Sequence, residues 1–135
     1  MADIMNFDLV SPERSLASFA ATEVQIPGSE GDMTVMINHA PILTTLRPGV
    51  LSVSSADGTS EYVITGGFAE VTAKGVTVIA ERAMVKSAVT QTDMDGIVSF
   101  AQVALDGSDE STQDAAIKMH ADVVALAAAL GLNAL

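Results

Sequence analysis

The stretch "VLSVSSADGTSEYVITGGFAEVTAKGVTVIA", residues 50–80, decides the fold class of this 135-residue chain. It consists of four short runs rich in β-branched residues, VLSVSS, SEYVIT, FAEVTA and VTVIA, separated by turns. In the last run Val76, Val78 and Ala80 occupy every second position, as in a strand with one face in a core. The connections ADGTS and AKG contain glycine, which supplies the positive φ of a tight hairpin. Short alternating strands at this spacing predict an antiparallel sandwich or barrel.

The same pattern continues toward the N terminus through the runs MNFDLV and TEVQI. All four prolines lie before residue 50 and seven of the ten glycines lie before residue 76, so the turn-forming residues are concentrated in this half. The triplet RPG at residues 47–49 predicts a further turn. The paired glycines Gly66 and Gly67 stand inside a strand pattern, which predicts a bulge or a close backbone approach.

After about Lys86 the period becomes helical. The first helix should begin with a cap at Thr92 and present one apolar stripe: Met94, Ile97, Val98, Ala101, Ala104 and Leu105. The loop DGSDES then ends this helix, and Ser108 or Ser111 is expected to cap the next one. The predicted inner face of the second helix comprises four residues: Ile117, Ala121, Val124 and Ala128.

These patterns predict a mainly β fold with an α tail. An N-terminal antiparallel β-sandwich should cover residues 1–87, and a C-terminal antiparallel two-helix hairpin should cover residues 88–135. With 49% hydrophobic and 17% charged residues the chain is not a disordered one. No apolar run approaches the roughly 20 residues that a membrane span needs. The first ten residues hold two acids and no base, so we expect neither a signal nor a transit peptide.

Charge and cysteine content exclude several classes of function. The chain has no cysteine, hence no disulfide, thiolate metal site or cysteine nucleophile. The net charge is −11, divided into −5 for residues 1–87 and −6 for residues 88–135, where Lys118 is the only lysine or arginine. Such a surface repels nucleic acid and anionic lipid headgroups. We therefore expect no nucleic-acid partner, and membrane association only through protein partners.

The segment "PGSEGDMTVMINHAP", residues 27–41, is the candidate site. Glu30, Asp32 and His39 could in principle form a metal-dependent hydrolytic site, but their irregular spacing favours a solvated acidic loop and a histidine that caps a turn. The glycines of GSEG lack the spacing and lysine of a P-loop. Neither a catalytic site nor a cofactor site is expected. Met33, Met36 and Ile37, placed on a turn, suit either a protein contact or a cap on the core.

Five blocks of sequence follow one another between Phe7 and Ala83: FDLVSPE, VQIPGSEGD, HAPILTTLRPGVL, GGFAEV and VTVIAERA. In this order and spacing they resemble the epsilon subunit of bacterial F-type ATP synthases, over nearly all of residues 5–87. The resemblance implies a non-catalytic rotor component with a β-sandwich and a helical hairpin. It also implies a peripheral location on the cytoplasmic face of the inner membrane, and no cofactor.

The resemblance further implies the partners and their contact residues. Ser11, His39 and Thr44 would lie on a surface that faces the gamma subunit. Glu30 and Asp32 would face the polar loops of the c-ring. The hairpin would be the part able to reach the alpha and beta catalytic subunits.

Three departures from the family pattern modify these expectations. The segment TVMIN at residues 34–38 replaces a glycine- and proline-containing turn. Val98 stands where ATP-binding members have an arginine, so we expect no ATP binding. With Lys118 as its only basic residue apart from a titratable histidine, the hairpin should be repelled by the acidic surface that inhibitory hairpins engage. The alternative to a rotor subunit is a free-standing β-sandwich that binds an unknown ligand.

Overall fold

The computed structural model describes residues 4–134, which form ten strands followed by two helices. The strands are β1 (Met5–Val10), β2 (Ser15–Ala21), β3 (Glu23–Gly28), β4 (Gly31–Met36), β5 (Ile42–Leu46), β6 (Gly49–Ser55), β7 (Gly58–Ile64), β8 (Gly67–Thr72), β9 (Gly75–Ala80) and β10 (Ala83–Val85). A short 3₁₀ turn (Lys86–Ala88) precedes the helices α1 (Gln91–Asp106) and α2 (Gln113–Ala129). The chain divides into two compact units between Ser87 and Ala88. The predicted fold class is confirmed.

The ten strands form a continuous hydrogen-bonded sheet that folds over itself. The strand order is β10-β7-β6-β3-β5-β8-β9-β1-β2, with β4 added to β3. Five strands separate β1 from β7 in this order. The ring of Phe7 in β1 nevertheless lies only 6.4 Å from the ring of Tyr62 in β7, measured between centroids. The two ends of the sheet therefore face each other across one core, which is the arrangement of a sandwich. Among the described strands only β1 and β9 pair in parallel.

Inward-facing residues alternate along the strands as predicted. In β9 Val76, Val78 and Ala80 are buried, whereas Ile79 faces solvent. Phe7 is fully buried and packs on Phe19 at a centroid distance of 5.4 Å. Tilted and offset aromatic pairs of this kind add to the hydrophobic stabilisation that the buried rings already provide.

The sequence patterns did not identify strands β2, β4, β5 and β10, and the assignment of Met33 and Met36 to a turn was wrong. Both residues lie in β4, because the β3–β4 ladder continues through Ile26↔Met33 to Glu23↔Met36. Met33 and Ile37 pack against the core, as one of the two interpretations proposed. Met36 is exposed.

Gly67 marks a close approach between backbones rather than a bulge. The β8–β9 register runs without a shift to Gly67↔Ala80. Gly67 has a φ of 126°, and a Cβ atom built on it would lie 2.0 Å from the carbonyl oxygen of Ile79. Any side chain at this position would force β8 and β9 apart.

The helix caps differ from those predicted. Thr90, not Thr92, caps α1, through a reciprocal capping box with Asp93. Ser108 donates its hydroxyl to the carbonyl of Leu105 at 2.6 Å, so it closes α1 and does not start α2. Ser111 is not a cap either, since α2 begins after Thr112, which makes no side-chain capping bond.

Four of the six residues predicted for the apolar stripe of α1 are buried and Ala104 and Leu105 are half-buried, whereas the inner face of α2 was predicted wrongly. Met94, Ile97, Val98 and Ala101 are buried in α1. In α2 the predicted inner residues Ile117 and Val124 are 49% and 40% exposed, and the buried set is a different one: Ala116, Val123, Leu126 and Ala127. The run ADVVALAAAL places apolar residues around much of the helix, so periodicity alone does not select the inner face.

Two hydrogen bonds establish that α1 and α2 form an antiparallel hairpin. The side-chain amide of Gln91, at the start of α1, donates to the carbonyl of Asn133 at 2.8 Å. The backbone N–H of Asn133, beyond the end of α2, donates back to Gln91 Oε1 at 2.9 Å. The first residue of one helix and the chain following the other are thus neighbours.

The loop between the helices is organised around one carboxylate. Asp109 Oδ1 accepts hydrogen bonds from the backbone N–H and the hydroxyl of Ser111, at 2.9 and 2.6 Å. It also accepts the corresponding two bonds from Thr112. These donors, the hydroxyl of Ser111 foremost, stabilise the ionised form and lower the pKa of Asp109 below its ordinary value of 3.8.

We expect Gly67→Ala to destabilise the sandwich more than Gly58→Ala. The two glycines have nearly equal φ values, 126° and 125°, but only Gly67 faces a backbone atom within 4 Å. The positive φ should cost about 1–3 kcal/mol in both variants, and the clash should add about 1–3 kcal/mol at residue 67. Urea unfolding followed by the fluorescence of Tyr62, the only tyrosine, measures both. Equal losses of unfolding free energy in the two variants would contradict a close approach of the β8 and β9 backbones at Gly67.

We expect Ser111→Ala to raise the pKa of Asp109 toward 3.8, because it removes the strongest donor to the carboxylate. Since the folded-state pKa is the lowered one, the loop is stabilised above the unfolded-state value, and this stabilisation is lost as pH falls through the folded-state pKa. A carboxyl-carbon NMR titration measures the change. Ser99→Ala, at an exposed position of α1, is the matched control. A wild-type pKa at or above 3.8 would contradict this account.

Candidate functional site

The acidic turn, defined here as Gly28, Ser29, Glu30, Gly31 and Asp32, joins β3 to β4. The pairing Gly28↔Gly31 leaves Ser29 and Glu30 as a two-residue connection. Gly31 has a φ of 138°, and a Cβ atom on Gly28 would lie 2.6 Å from the carbonyl oxygen of Gly31. The glycines of this segment therefore make a tight hairpin.

Backbone contacts join the acidic turn to the end of β5. The N–H of Ser29 donates to the carbonyl of Thr45 at 2.9 Å, and the two side-chain hydroxyls lie 2.6 Å apart. The N–H of Arg47 donates to the carbonyl of Pro27 at 3.0 Å. Because β5 belongs to the sheet, these bonds give the turn a fixed support.

The side chain of Arg47 bridges both arms of the turn. Its Nη1 donates to the carbonyl of Gly28 at 2.7 Å, and its Nη2 forms an ion pair with Asp32 Oδ1. Among the described residues Glu30 makes no such contact, and its side chain is exposed. The two carboxylates that the sequence analysis grouped together are thus in different states: one is paired within the chain and the other is free.

Ser11, His39 and Thr44 lie at different points along the sheet. Ser11 opens the β1–β2 turn and exchanges backbone hydrogen bonds with Arg14 at 2.8 and 3.3 Å. His39 closes the turn after β4 by donating its N–H to Met36 at 3.2 Å, next to Asn38, whose φ is 66°. Thr44 is half-buried in β5. No hydrogen bond or ion pair joins any two of the three.

The strand register gives the order of these positions. Ser11 follows Val10, which pairs with Ile79, and it lies at the same end of the sheet as the acidic turn. His39 precedes β5 and lies at the opposite end, while Thr44 pairs with Ala69 in the middle. A partner that contacts all three must therefore extend along the strands.

The same geometry does not bring together Glu30, Asp32 and His39, the residues of the hydrolytic interpretation. Asp32 lies at the start of β4 and His39 beyond its end, so that the strand between them spans about 13 Å from Asp32 to Met36. Ligands of one metal ion would have to converge within a few ångströms of each other. Within residues 4–134 no three histidine or carboxylate side chains come close enough to hold a metal ion.

An apolar row on the outer face of the sheet was missed by the sequence analysis. Leu43 is 67% exposed, and Phe68 and Ile79 are also exposed. Phe68 pairs with Ile79, which pairs in turn with Val10, so these three residues run across β8, β9 and β1; Leu43 in β5 pairs with Glu70 and is a diagonal neighbour of Phe68. The signal was present in the alternation, since Phe68 stands at an outward position beside buried Ala69. A row of exposed large apolar side chains suits contact with a protein.

The helical unit carries its negative charge with little internal compensation. Its only lysine, Lys118, is paired with Asp122 at 2.7 Å along α2. Val98, at the position of the family's arginine, is buried. No helix in the described part of the chain is long and apolar enough to cross a bilayer.

Comparison with known proteins gives consistent matches. A family model described as "ATP synthase, Delta/Epsilon chain, beta-sandwich domain" matches residues 4–86. A protein of Ruegeria sp. (strain TM1040) named ATP synthase epsilon chain is 51% identical, over 98% of this chain and 100% of the relative. A protein of Rhodobacter capsulatus with the same name is 52% identical with the same coverage.

Solved structures share the fold. A chain from the cryo-EM structure of the Euglena gracilis mitochondrial ATP synthase, OSCP/F1/c-ring in rotational state 1, superposes with a TM-score of 0.67 and 23% identity. The match covers 91% of this chain and 81% of the other. A chain from the Tetrahymena thermophila mitochondrial ATP synthase, central stalk/c-ring, gives a TM-score of 0.66 at 17% identity, with coverages of 93% and 96%.

Proposed function

Because this chain belongs to the ATP synthase delta/epsilon chain family, we propose that it is a non-catalytic central-stalk subunit of an F-type ATP synthase, which attaches the gamma subunit to the c-ring and couples proton flow to ATP synthesis. The observation that carries the proposal is identity of about one half, over nearly the full length of both chains, with proteins named ATP synthase epsilon chain. Such a subunit would be peripheral, on the cytoplasmic face of the inner membrane.

The proposed mechanism is mechanical. Torque that arises at the ring has to reach gamma with little loss, so the connecting subunit must be stiff. The closed sandwich supports this role, because its ends are joined through a dense aromatic and aliphatic core. The contacts with partners belong to turns and outer faces, which such a scaffold positions.

We assign Ser11, His39 and Thr44 to the gamma-facing surface, and the acidic turn to the ring. The spread of the three residues along the sheet requires that gamma lie along the strands. The exposed pair Phe68 and Ile79, with Leu43 diagonal to it, supports the presence of a protein partner, since neighbouring exposed apolar side chains suit a protein contact.

The proposed function includes neither ATP binding nor strong inhibition of ATP hydrolysis by the hairpin. Val98 is an apolar, buried residue where a phosphate-binding arginine would be needed. The helical unit has a net charge of −6 and its one lysine is already paired, which disfavours contact with an acidic surface. Contact of the hairpin with the alpha and beta subunits would therefore be weak.

We expect the full-length chain to co-elute with a purified catalytic head that contains gamma. His39→Ala should weaken this association about fivefold or more, as for an interface residue whose truncation costs at least about 1 kcal/mol. Size-exclusion chromatography over a concentration series measures the effect, with His120→Ala as the matched control from the helical unit. Elution of the wild-type chain apart from an intact head would overturn the proposed function.

We expect deletion of residues 88–135 to change ATP hydrolysis by the assembled enzyme by less than about twofold, because like charges keep the hairpin from an acidic surface. Steady-state hydrolysis by membrane vesicles measures the effect, and Lys118→Ala in the full-length chain isolates the contribution of its one lysine. A many-fold increase in hydrolysis after the deletion would show that the hairpin inhibits.

A further inference from the structure

Among residues 4–134 the acidic turn has a single cationic partner, Arg47, and this residue lies outside the turn. Arg47 comes from the connection between β5 and β6, yet its guanidinium reaches the carbonyl of Gly28 on one arm and the carboxylate of Asp32 on the other. A planar guanidinium has donors that diverge, so it can hold two acceptors on separate strands at once. The turn is therefore restrained by a side chain from a neighbouring connection as well as by its own glycines.

The same contact divides the charges of the turn. Arg47 compensates Asp32, whose side chain nevertheless remains 79% exposed. Glu30 stands at the tip of the hairpin, and no cation within residues 4–134 pairs with it. The net charge that the turn offers to a partner is thus one negative charge, on Glu30.

We propose that Arg47 is a positioning residue for the contact with the ring: it fixes the direction of the acidic turn, retains Asp32 as its internal partner, and leaves Glu30 as the carboxylate presented to the ring. This inference rests on the proposed function, and it changes the role of Asp32 from a contact with the partner to a part of the support. The partner group that suits Glu30 is a cation or an N–H donor on a polar loop.

The role of Arg47 is distinct from a contribution to global stability. The Arg47 side chain is 27% exposed and that of Asp32 79%, and ion pairs this close to the surface add little to the free energy of unfolding. Loss of the guanidinium should therefore leave the unfolding midpoint of the sandwich nearly unchanged, while the turn loses its restraint. A turn that can swing under load transmits torque poorly, so the loss should become visible in coupling.

The first arm of the test uses the full-length chain alone and measures amide hydrogen exchange. Arg47→Met should accelerate exchange at Ser29 and at residue 47 about tenfold, because the local opening becomes easier. Arg47→Lys should recover part of the protection, since its single nitrogen replaces the two nitrogens with which the guanidinium reaches Gly28 and Asp32. Asp32→Asn keeps the bond from the guanidinium to Gly28, so it should accelerate exchange less than Arg47→Met, whereas Glu30→Gln should leave exchange unchanged. Lys86→Met removes another exposed ion pair, to Glu61, and is the matched control.

The second arm measures ATP-driven proton pumping per ATP hydrolysed in vesicles that contain the assembled enzyme. Arg47→Met and Glu30→Gln should both lower this ratio at unchanged subunit content, Arg47→Lys should restore part of it, and Lys86→Met should equal wild type. This pattern supports the proposal.

Three results would overturn it. Unchanged exchange at Ser29 in Arg47→Met would show that the guanidinium does not restrain the turn. Faster exchange with a wild-type pumping ratio, while Glu30→Gln lowers the ratio, would show that the restraint is not needed for coupling, and the ring contact would stand. A wild-type pumping ratio in both Arg47→Met and Glu30→Gln would show that Glu30 makes no functional contact with the ring, even if the chain still co-elutes with the head.

Discussion

The packing of Phe7 between Phe19 and Tyr62 is the interaction on which the rest of the sandwich depends. It joins strands from opposite regions of the strand order, and thereby turns a continuous sheet into two layers around one core. Once the layers are fixed, the directions of all connecting turns are fixed as well. The acidic turn, the β5–β6 connection and the apolar outer row occupy defined places because a rigid core supports them.

The strands of residues 50–80 could be predicted because their alternation, glycine turns and β-branched composition agree. Strand β4 was missed because Met33 and Met36 follow an acidic, glycine-containing turn, and composition alone does not show that the ladder with β3 continues. The inner face of α2 was predicted wrongly because alanine and valine occur on all sides of the helix, so that no single apolar stripe stands out. Thr90 was passed over for Thr92, since both precede acids and only the backbone geometry distinguishes a cap from the first turn.

At the candidate site the sequence identified the residue types, but not where they lie relative to each other or which of them form pairs. Glu30, Asp32 and His39 are close in sequence, yet an extended strand places the histidine at the far end from both acids. The pairing of Asp32 with Arg47 joins residues that are 15 positions apart, and no local pattern reveals it. Such contacts arise from the register Gly28↔Leu46, which is a property of the assembled sheet.

The parallel pairing of β1 with β9 has a consequence for the order of folding. Phe7 pairs with Val76, so the N-terminal strand finds this neighbour only after nearly the whole sandwich has been synthesised. Contacts of such sequence separation carry a large loop-closure entropy and slow the rate of folding. During synthesis β1 has only its hairpin with β2, and its other edge stays open until Ala80 has emerged. In the nascent chain that edge is a site where chaperones or misplaced strands can bind.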